Sequence, residues 1–287
     1  MHPRTFRFAV VAAQAPTAQA WQGLARRAEE LGYDTLLAPD TMTTLEPFTA
    51  LAAAATATER LRVGTFVLPV PFYTPSEIAW RALALDLLSG GRLDLGLGAG
   101  RPGAEDEVVH RERRFGTPAE RVKQLSDAIH IVKEELAAAA ASPSPLKPVQ
   151  KPHPPILVAA AGPKMFQLAA AEADILTLGL SPATTEDGLA AKIAELRAVA
   201  GARFDDLELS HNLAGVGTEL PAYLSQQMGM DPAELIRTGA PSILTGTPQQ
   251  MADTLRRRRD DLGISYIAVN GMFMEKLAPV VETLAGS

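Results

Sequence analysis

The chain has 287 residues, a length that one β/α barrel commonly reaches, so a single domain over residues 1–287 is expected. The net charge of −6 argues against nucleic-acid binding, and the basic run Arg256–Arg259 is interpreted as the solvated side of a helix. The absence of cysteine excludes disulfides and cysteine-ligated metals. The N-terminal residues do not resemble a signal peptide and no apolar run reaches membrane-spanning length, so we expect a cytoplasmic protein without a membrane partner.

Eight short apolar segments alternate with helical patterns along the chain. Most are apolar over nearly their whole length, which is typical of parallel strands buried on both faces. The predicted strands are Phe6–Ala13, Thr35–Leu37, Arg62–Leu68, the segment that starts at Leu93, Ile156–Ala160, Ile175–Leu178, Leu207–Leu213 and Ser265–Val269. Their spacing is that of βαβ units. The sequence therefore predicts an α/β fold, a (β/α)8 TIM barrel, with insertions after strands four and seven.

Proline marks four helix starts and one long loop. A capping residue precedes each of four prolines, and Glu or Gln follows two residues later, which is the pattern of a capping box. These starts lie at Thr74, Thr117, Asp231 and Thr247. Residues 142–155 carry six prolines and predict a surface loop before strand five. The segment Glu219–Gly239, with Met228, Gly229 and Met230, is interpreted as a lid over the barrel rim or as an insertion that merely packs on the barrel.

Three glycines lie on one face of the predicted fourth strand. Gly96, Gly98 and Gly100 alternate with buried leucines. Because glycine weakens a strand, we expect something flat or bulky to approach the backbone there. The stretch 98–103 also matches G-x-G-x-x-G, but Pro102 and the distant next strand argue against a dinucleotide-binding unit.

The active sites of β/α barrels lie at the C-terminal ends of the strands, which directs attention to three places. Asp40 follows strand two, where a site role is favoured over a loop cap. Arg101 follows strand four, and a guanidinium there suits a phosphate or carboxylate. The small-residue turn Ala160–Lys164 opens a helix after strand five, so its N–H groups form either an anion site or a plain tight turn. The scattered histidines predict no metal site.

Several segments together resemble the bacterial-luciferase-like superfamily, and within it the branch that uses coenzyme F420, a 5-deazaflavin. The run Leu85–Gly100 is similar to the family's fourth strand, and Val158–Lys164 is similar to its phosphate-binding loop. Gly64–Pro69 resembles its third strand, where the family has a bulge and a non-proline cis peptide bond; the match implies that bond between Phe66 and Val67. The resemblance covers nearly the whole chain, and it implies a homodimer because family members commonly pair.

The resemblance also implies roles for individual residues. The implied cofactor-binding residues are Thr65, Phe66, Val67, Gly98, Gly100, Ala160, Ala161, Gly162 and Lys164. Asp40 is the candidate for hydrogen bonding to the ring or substrate, and Arg101 is the candidate for an anionic group. Many relatives carry a histidine after this aspartate, whereas this chain has Thr41, so that acid/base group has no counterpart here.

These observations lead to an F420-dependent oxidoreductase that transfers hydride between the cofactor and a small organic substrate. The nearest alternative is an FMN-dependent monooxygenase. Two others stay open: a flavin-binding protein without turnover, and a non-redox barrel enzyme that uses the phosphate loop for a phosphorylated substrate.

Overall fold

The computed structural model describes residues 4–220 and 231–287, which form a closed barrel of eight parallel strand positions surrounded by helices. The predicted (β/α)8 architecture is confirmed. The strands are β1 Arg7–Val11, β2 Thr35–Ala38, β3 Arg62–Thr65, β4 Leu68–Pro69, β5 Leu93–Gly98, β6 Ile156–Ala160, β7 Ile175–Leu178, β8 Glu208–Leu213, β9 Gly215–Val216, β10 Ile243–Leu244 and β11 Ile264–Asn270. Strands β3 and β4 together fill the third position, and β9 and β10 pair outside the barrel.

Helices cover the outside of the barrel and follow the strands in chain order. They are α1 Ala18–Glu30, α2 Pro47–Thr56, α3 Pro75–Leu88, α4 Glu105–His110, α5 Pro118–Ala141, α6 Pro163–Glu172, α7 Glu186–Ala200, α8 Pro232–Arg237, α9 Pro248–Leu262 and α10 Met274–Leu284. Helix α4 lies after the fourth barrel strand, and α8 lies after the seventh. None of the helices within the described ranges is both long and apolar enough to span a membrane.

Three of the four predicted capping boxes form. The hydroxyls of Thr74, Thr117 and Thr247 accept the N–H three residues ahead, and the Glu or Gln at that position accepts the N–H of the threonine. At Asp231 the helix start is confirmed but the box is not, because the carboxylate accepts from the N–H of Ala233. Met228, Gly229 and Met230 lie outside the described residues, so the lid prediction is not tested there.

Charged side chains fill the lower end of the barrel. Asp94, buried inside, accepts hydrogen bonds from Arg7 at 2.6 Å and from Arg62. Arg7 also bonds to Glu208 at 2.6 Å and stacks on the ring of Tyr266. An apolar layer lies above them, formed by Ala9, Leu37, Leu157, Ile175 and Ala268. Because these two layers close the lower barrel, the barrel interior formed by the described residues is open to a ligand at its C-terminal mouth.

The glycines of β5 make room for the protein's own third strand. A Cβ on Gly96 would lie 1.9 Å from the Thr65 carbonyl oxygen, and one on Gly98 would lie 2.6 Å from a methyl group of Val67. The Thr65 hydroxyl donates to the Gly96 carbonyl and accepts its N–H, both at 2.8 Å. The bulky neighbour expected at these two glycines is therefore the chain itself. The Phe66–Val67 peptide bond is cis, as the resemblance implied.

The basic run near the C-terminus is solvated only in part: Arg257 is exposed, but the prediction is wrong for Arg258. Its side chain is buried between α9 and α7, where Nε bonds to Glu186 at 3.0 Å and Nη1 bonds to the Pro241 carbonyl at 3.0 Å. Arg259 also lies against the protein, over the ring of Phe6. A predicted helix position alone cannot show which arginine of a run finds a buried acceptor.

Candidate functional site

Two neighbouring cavities open at the C-terminal mouth of the barrel. The first chamber, of about 460 Å³, lies at the ends of β2, β4, β5 and β6. The second chamber, of about 410 Å³, lies at the ends of β7, β8 and β11. Both are lined by Phe66, Val67, Ala159 and Gly179, so the bulge of the third strand is their shared wall.

The first chamber brings most of the predicted site residues together. Its lining includes Asp40, Phe66, Val67, Gly98, Gly100, Arg101, Ala160 and Ala161. Three predicted residues are not part of this lining. Thr65 is buried behind the wall, where its hydroxyl is bonded to the backbone of Gly96. Gly162 is the N-cap residue of α6, and Lys164 is exposed on the first turn of that helix.

Asp40 is buried and both of its carboxylate oxygens are bonded. Oδ2 accepts from the Tyr73 hydroxyl at 2.6 Å, and Oδ1 accepts from Nη2 of Arg111 at 3.0 Å. Burial raises the pKa of Asp40, although Tyr73 and Arg111 oppose the shift. Because both oxygens already accept hydrogen bonds, the Asp40 carboxylate is held in place in the free protein.

Arg111 is a site residue that sequence analysis missed. It follows α4, and its guanidinium carbon lies 4.2 Å from the ring centroid of Phe72, a cation–π contact. The bond to Asp40 ties the α4 segment to the end of β2. Nothing in the sequence separates Arg111 from its neighbours Arg113 and Arg114, which bond to Glu77 and Glu120 instead.

Arg101 does not stand free in the chamber. Its guanidinium pairs with Glu107 of α4, and the other oxygen of Glu107 accepts the N–H of Met42 at 3.0 Å. The Arg101 side chain is 55% exposed, so this pair is screened by solvent. An anionic ligand would have to compete with Glu107 for this guanidinium.

The start of α6 leaves open space at the edge of the first chamber. Gly162 is its N-cap residue in extended conformation, with φ −145°, and no side chain of the described residues caps this end. A Cβ placed on Gly162 would meet no atom within 4 Å. Uncapped N–H groups and the positive end of the helix dipole favour an anion here.

The second chamber is lined by neutral side chains, of which His211 is the only titratable one among the described residues. His211 is 4% exposed, and burial followed by the nearby charge of Arg258 lowers its pKa to about 3. The imidazole is therefore neutral at physiological pH. Its Nδ1 atom is buried without a hydrogen-bond partner in the described structure.

Comparison with known sequences supports a family assignment. The family profile described as luciferase-like monooxygenase matches residues 4–215. A putative coenzyme F420-dependent oxidoreductase of Mycobacterium tuberculosis is 33% identical over 168 residues, which cover 51% of this chain and 47% of that protein. The oxygenase component of a flavin-dependent trigonelline monooxygenase of Acinetobacter baylyi is 30% identical over 130 residues, covering 43% and 36% of the two chains. The matches thus span at most about half of either relative.

One further relative aligns over more of its length. An F420-dependent glucose-6-phosphate dehydrogenase of Kribbella flavida is 28% identical over 266 residues, covering 84% of this chain and 76% of that protein. Among solved structures, the coenzyme F420-dependent tetrahydromethanopterin reductase of Methanopyrus kandleri has a TM-score of 0.75 and covers 98% of each chain. At 14% identity, that likeness shows the fold alone.

Proposed function

Because the chain belongs to the luciferase-like monooxygenase family, we propose that it is an oxidoreductase that binds coenzyme F420 and transfers hydride between this cofactor and a small organic substrate. The observation that carries the proposal is the first chamber, where an apolar wall stands beside an uncapped helix start. A ring cofactor with a phosphate-bearing tail requires both. Two relatives named for F420 dependence support the choice.

The residues present fit such a cofactor. Phe66 and Val67 offer an apolar surface for a flat ring, and the chamber is large enough for one. The turn of Ala160, Ala161 and Gly162 has no bulky side chain, so its backbone is accessible to a phosphate. When bound, F420 supplies a ring carbon, C5, that accepts or donates hydride.

The chain's own groups orient and shield the reactants. Asp40 is held by Tyr73 and Arg111, which fixes its carboxylate at the chamber wall. Phe66 and Val67 place apolar surface where the two chambers meet, which disfavours ordered water there. Thr41 cannot replace an imidazole as a proton carrier, so the proton that accompanies hydride transfer has to move through another polar group of the mouth or through solvent.

A second candidate function is an FMN-dependent monooxygenase. The description of the matching family profile and the trigonelline monooxygenase relative favour it. The same wall and the same helix start suit the ring and phosphate of FMN, so the choice depends on relative affinity.

Titration of the purified full chain with F420 and, separately, with FMN tests the proposal by fluorescence and calorimetry. We expect tighter binding of F420, and oxidation or reduction of bound F420 by small alcohols or carbonyl compounds. Equal or tighter binding of FMN, together with oxygen consumption by the reduced flavin, would move the protein to the monooxygenase function. Failure of both cofactors to bind would leave the non-redox alternative.

A further inference from the structure

We propose that the second chamber is the substrate site and that it selects uncharged molecules carrying a hydroxyl or carbonyl group. The assignment rests on the proposed function in one respect, that the cofactor occupies the first chamber.

The position of the second chamber suits a reaction partner of the cofactor. It is continuous with the first chamber at Phe66, Val67, Ala159 and Gly179, which line both. A molecule in the second chamber thus reaches the wall that the ring is proposed to cover. The first chamber is also the one that adjoins the anion-binding helix start, which leaves the second chamber for the substrate.

The lining of the second chamber carries no formal charge at neutral pH. No Asp, Glu, Lys or Arg of the described residues lines it, and the neutral His211 closes one side. A phosphate or carboxylate would therefore lose hydration without gaining a cation, which is unfavourable.

The polar groups that remain in this chamber are amides and hydroxyls. Asn212 ends the inward-facing row of β8, and its side chain makes no hydrogen bond to the described residues. Asn270, at the end of the neighbouring β11, uses Oδ1 to accept the N–H of Met272 at 3.0 Å. The hydroxyl of Ser242 donates to the Pro182 carbonyl at 2.6 Å. The amide of Asn212 is thus the group best placed to recognise a neutral oxygen, as acceptor or donor.

Arg258 lies behind His211 and is not part of the chamber lining. Its guanidinium bonds to Glu186 and to the Pro241 carbonyl, so these donors are already used. A phosphate site requires free cationic donors, and the described lining of the second chamber contains none.

Three probes with the same ring test the proposal: cyclohexanol, cyclohexanecarboxylate and cyclohexyl phosphate. Their binding to the full chain is measured by saturation-transfer NMR and calorimetry, with and without F420. We expect cyclohexanol to bind at least tenfold more tightly than either anion. In Asn212→Lys the order should reverse, because the new ammonium lies in the chamber, while the affinity for F420 stays within about twofold of wild type.

The control is Ala183→Lys, which adds the same charge to an exposed position of the β7–α7 loop outside the chamber lining. It should keep the preference for cyclohexanol. The inference is overturned if wild type binds the anions as tightly as cyclohexanol, or if both lysine variants change the preference equally. Loss of F420 binding by wild type would contradict the proposed function alone, because the probe preference is also measured without cofactor.

Discussion

Asp40 lies at the predicted place, but its carboxylate is already hydrogen-bonded within the protein. The strand-end rule placed it at the rim, but its carboxylate is shared between Tyr73 and Arg111. Since both partners stabilise the charged form while burial opposes it, the pKa of Asp40 is set by a balance that single substitutions can change.

Arg111→Gln should raise the pKa of Asp40 further, because a cation is removed and the burial remains. The Arg111 side chain is 25% exposed, so solvent screening moderates the size of this rise. Carbon-detected NMR titration of the Asp40 carboxyl measures it. Arg113→Gln, whose partner is Glu77, is the matched control and should leave Asp40 unchanged.

Asp94 balances the charges of Arg7 and Arg62 in the lower barrel. Burial alone would raise the pKa of Asp94, but the charges of Arg7 and Arg62 outweigh it and hold the pKa below the usual range. Asp94→Asn should lower the free energy of unfolding at pH 7 by about 3–5 kcal/mol, because it leaves the partly buried Arg62 without a carboxylate and Arg7 with Glu208 alone. Urea denaturation measures this change.

The pH dependence of that loss follows from the lowered pKa of Asp94. Its contribution is complete above the unfolded-state pKa of about 3.9 and disappears as the pH falls through the lower folded-state value. The difference between wild type and Asp94→Asn should therefore shrink below about pH 4. The exposed Asp253→Asn should change stability by less than about 0.5 kcal/mol at either pH; a similar loss there would show a general charge effect.

At the scale of single elements, two glycines have opposite roles. Gly96 in β5 is required by the fold, since its Cβ would contact the Thr65 carbonyl oxygen at 1.9 Å. Gly162 before α6 is not required by the fold, since it is extended and faces open space.

Gly162→Val should reduce cofactor affinity at least tenfold, because a branched side chain blocks backbone approach to the phosphate. The melting temperature of the free protein should change by no more than about 2 °C. Fluorescence titration and calorimetry measure the two quantities. Unchanged affinity in the folded variant would place the phosphate elsewhere.

Gly96→Ala should instead destabilise the fold. The backbone contact cannot be relieved by a side-chain rotation, so we expect a loss of at least about 3 kcal/mol in the free energy of unfolding, or failure to fold. Thermal denaturation of purified protein measures it. A stable Gly96→Ala variant would contradict the close approach of β3 to β5.

Local sequence patterns predicted the helix starts, whereas contacts between distant segments were not predictable. Thr74, Thr117 and Thr247 were predicted as helix starts because a capping box is a local arrangement of four residues. The partner of Gly96 was not predictable from the residue pattern, because it lies 31 positions away on another strand. Similarly, Arg111 reaches Asp40 only through the path of the chain after α4, which no periodicity encodes.

At the scale of the whole molecule, the fold was predictable because eight buried strands repeat one pattern, and the rim followed from the topology. The division of the mouth into two chambers was not predictable from the sequence. It depends on where Phe66 and Val67 project from the third strand and on how the loop after β7 meets the segment before β10, at Pro182 and Ser242. These are contacts between distant segments.

Helix α3 carries an exposed apolar face that suits association with a second copy of the chain. Its outer face exposes Trp80 at 67%, Leu87 at 40% and Leu88 at 67%, with Ala84 between them at helical spacing. A monomer rarely leaves such a patch in water, and a two-fold axis lets one face cover its copy. We therefore propose a homodimer, which light scattering should detect at micromolar concentration.

Trp80→Glu should convert this dimer to a monomer, because it replaces the largest side chain of the apolar face by a charge. Val109→Glu is the matched control, since Val109 is also 67% exposed but lies on α4 beside the chamber mouth. That variant should remain dimeric, and both should keep the helix content of wild type by circular dichroism. A wild-type monomer would refute the dimer, and dissociation by Val109→Glu alone would move the interface from α3 to the rim. Dimer formation through α3 would also leave the C-terminal mouth of each subunit open to its ligands, because α3 packs outside the barrel on α2 and α5.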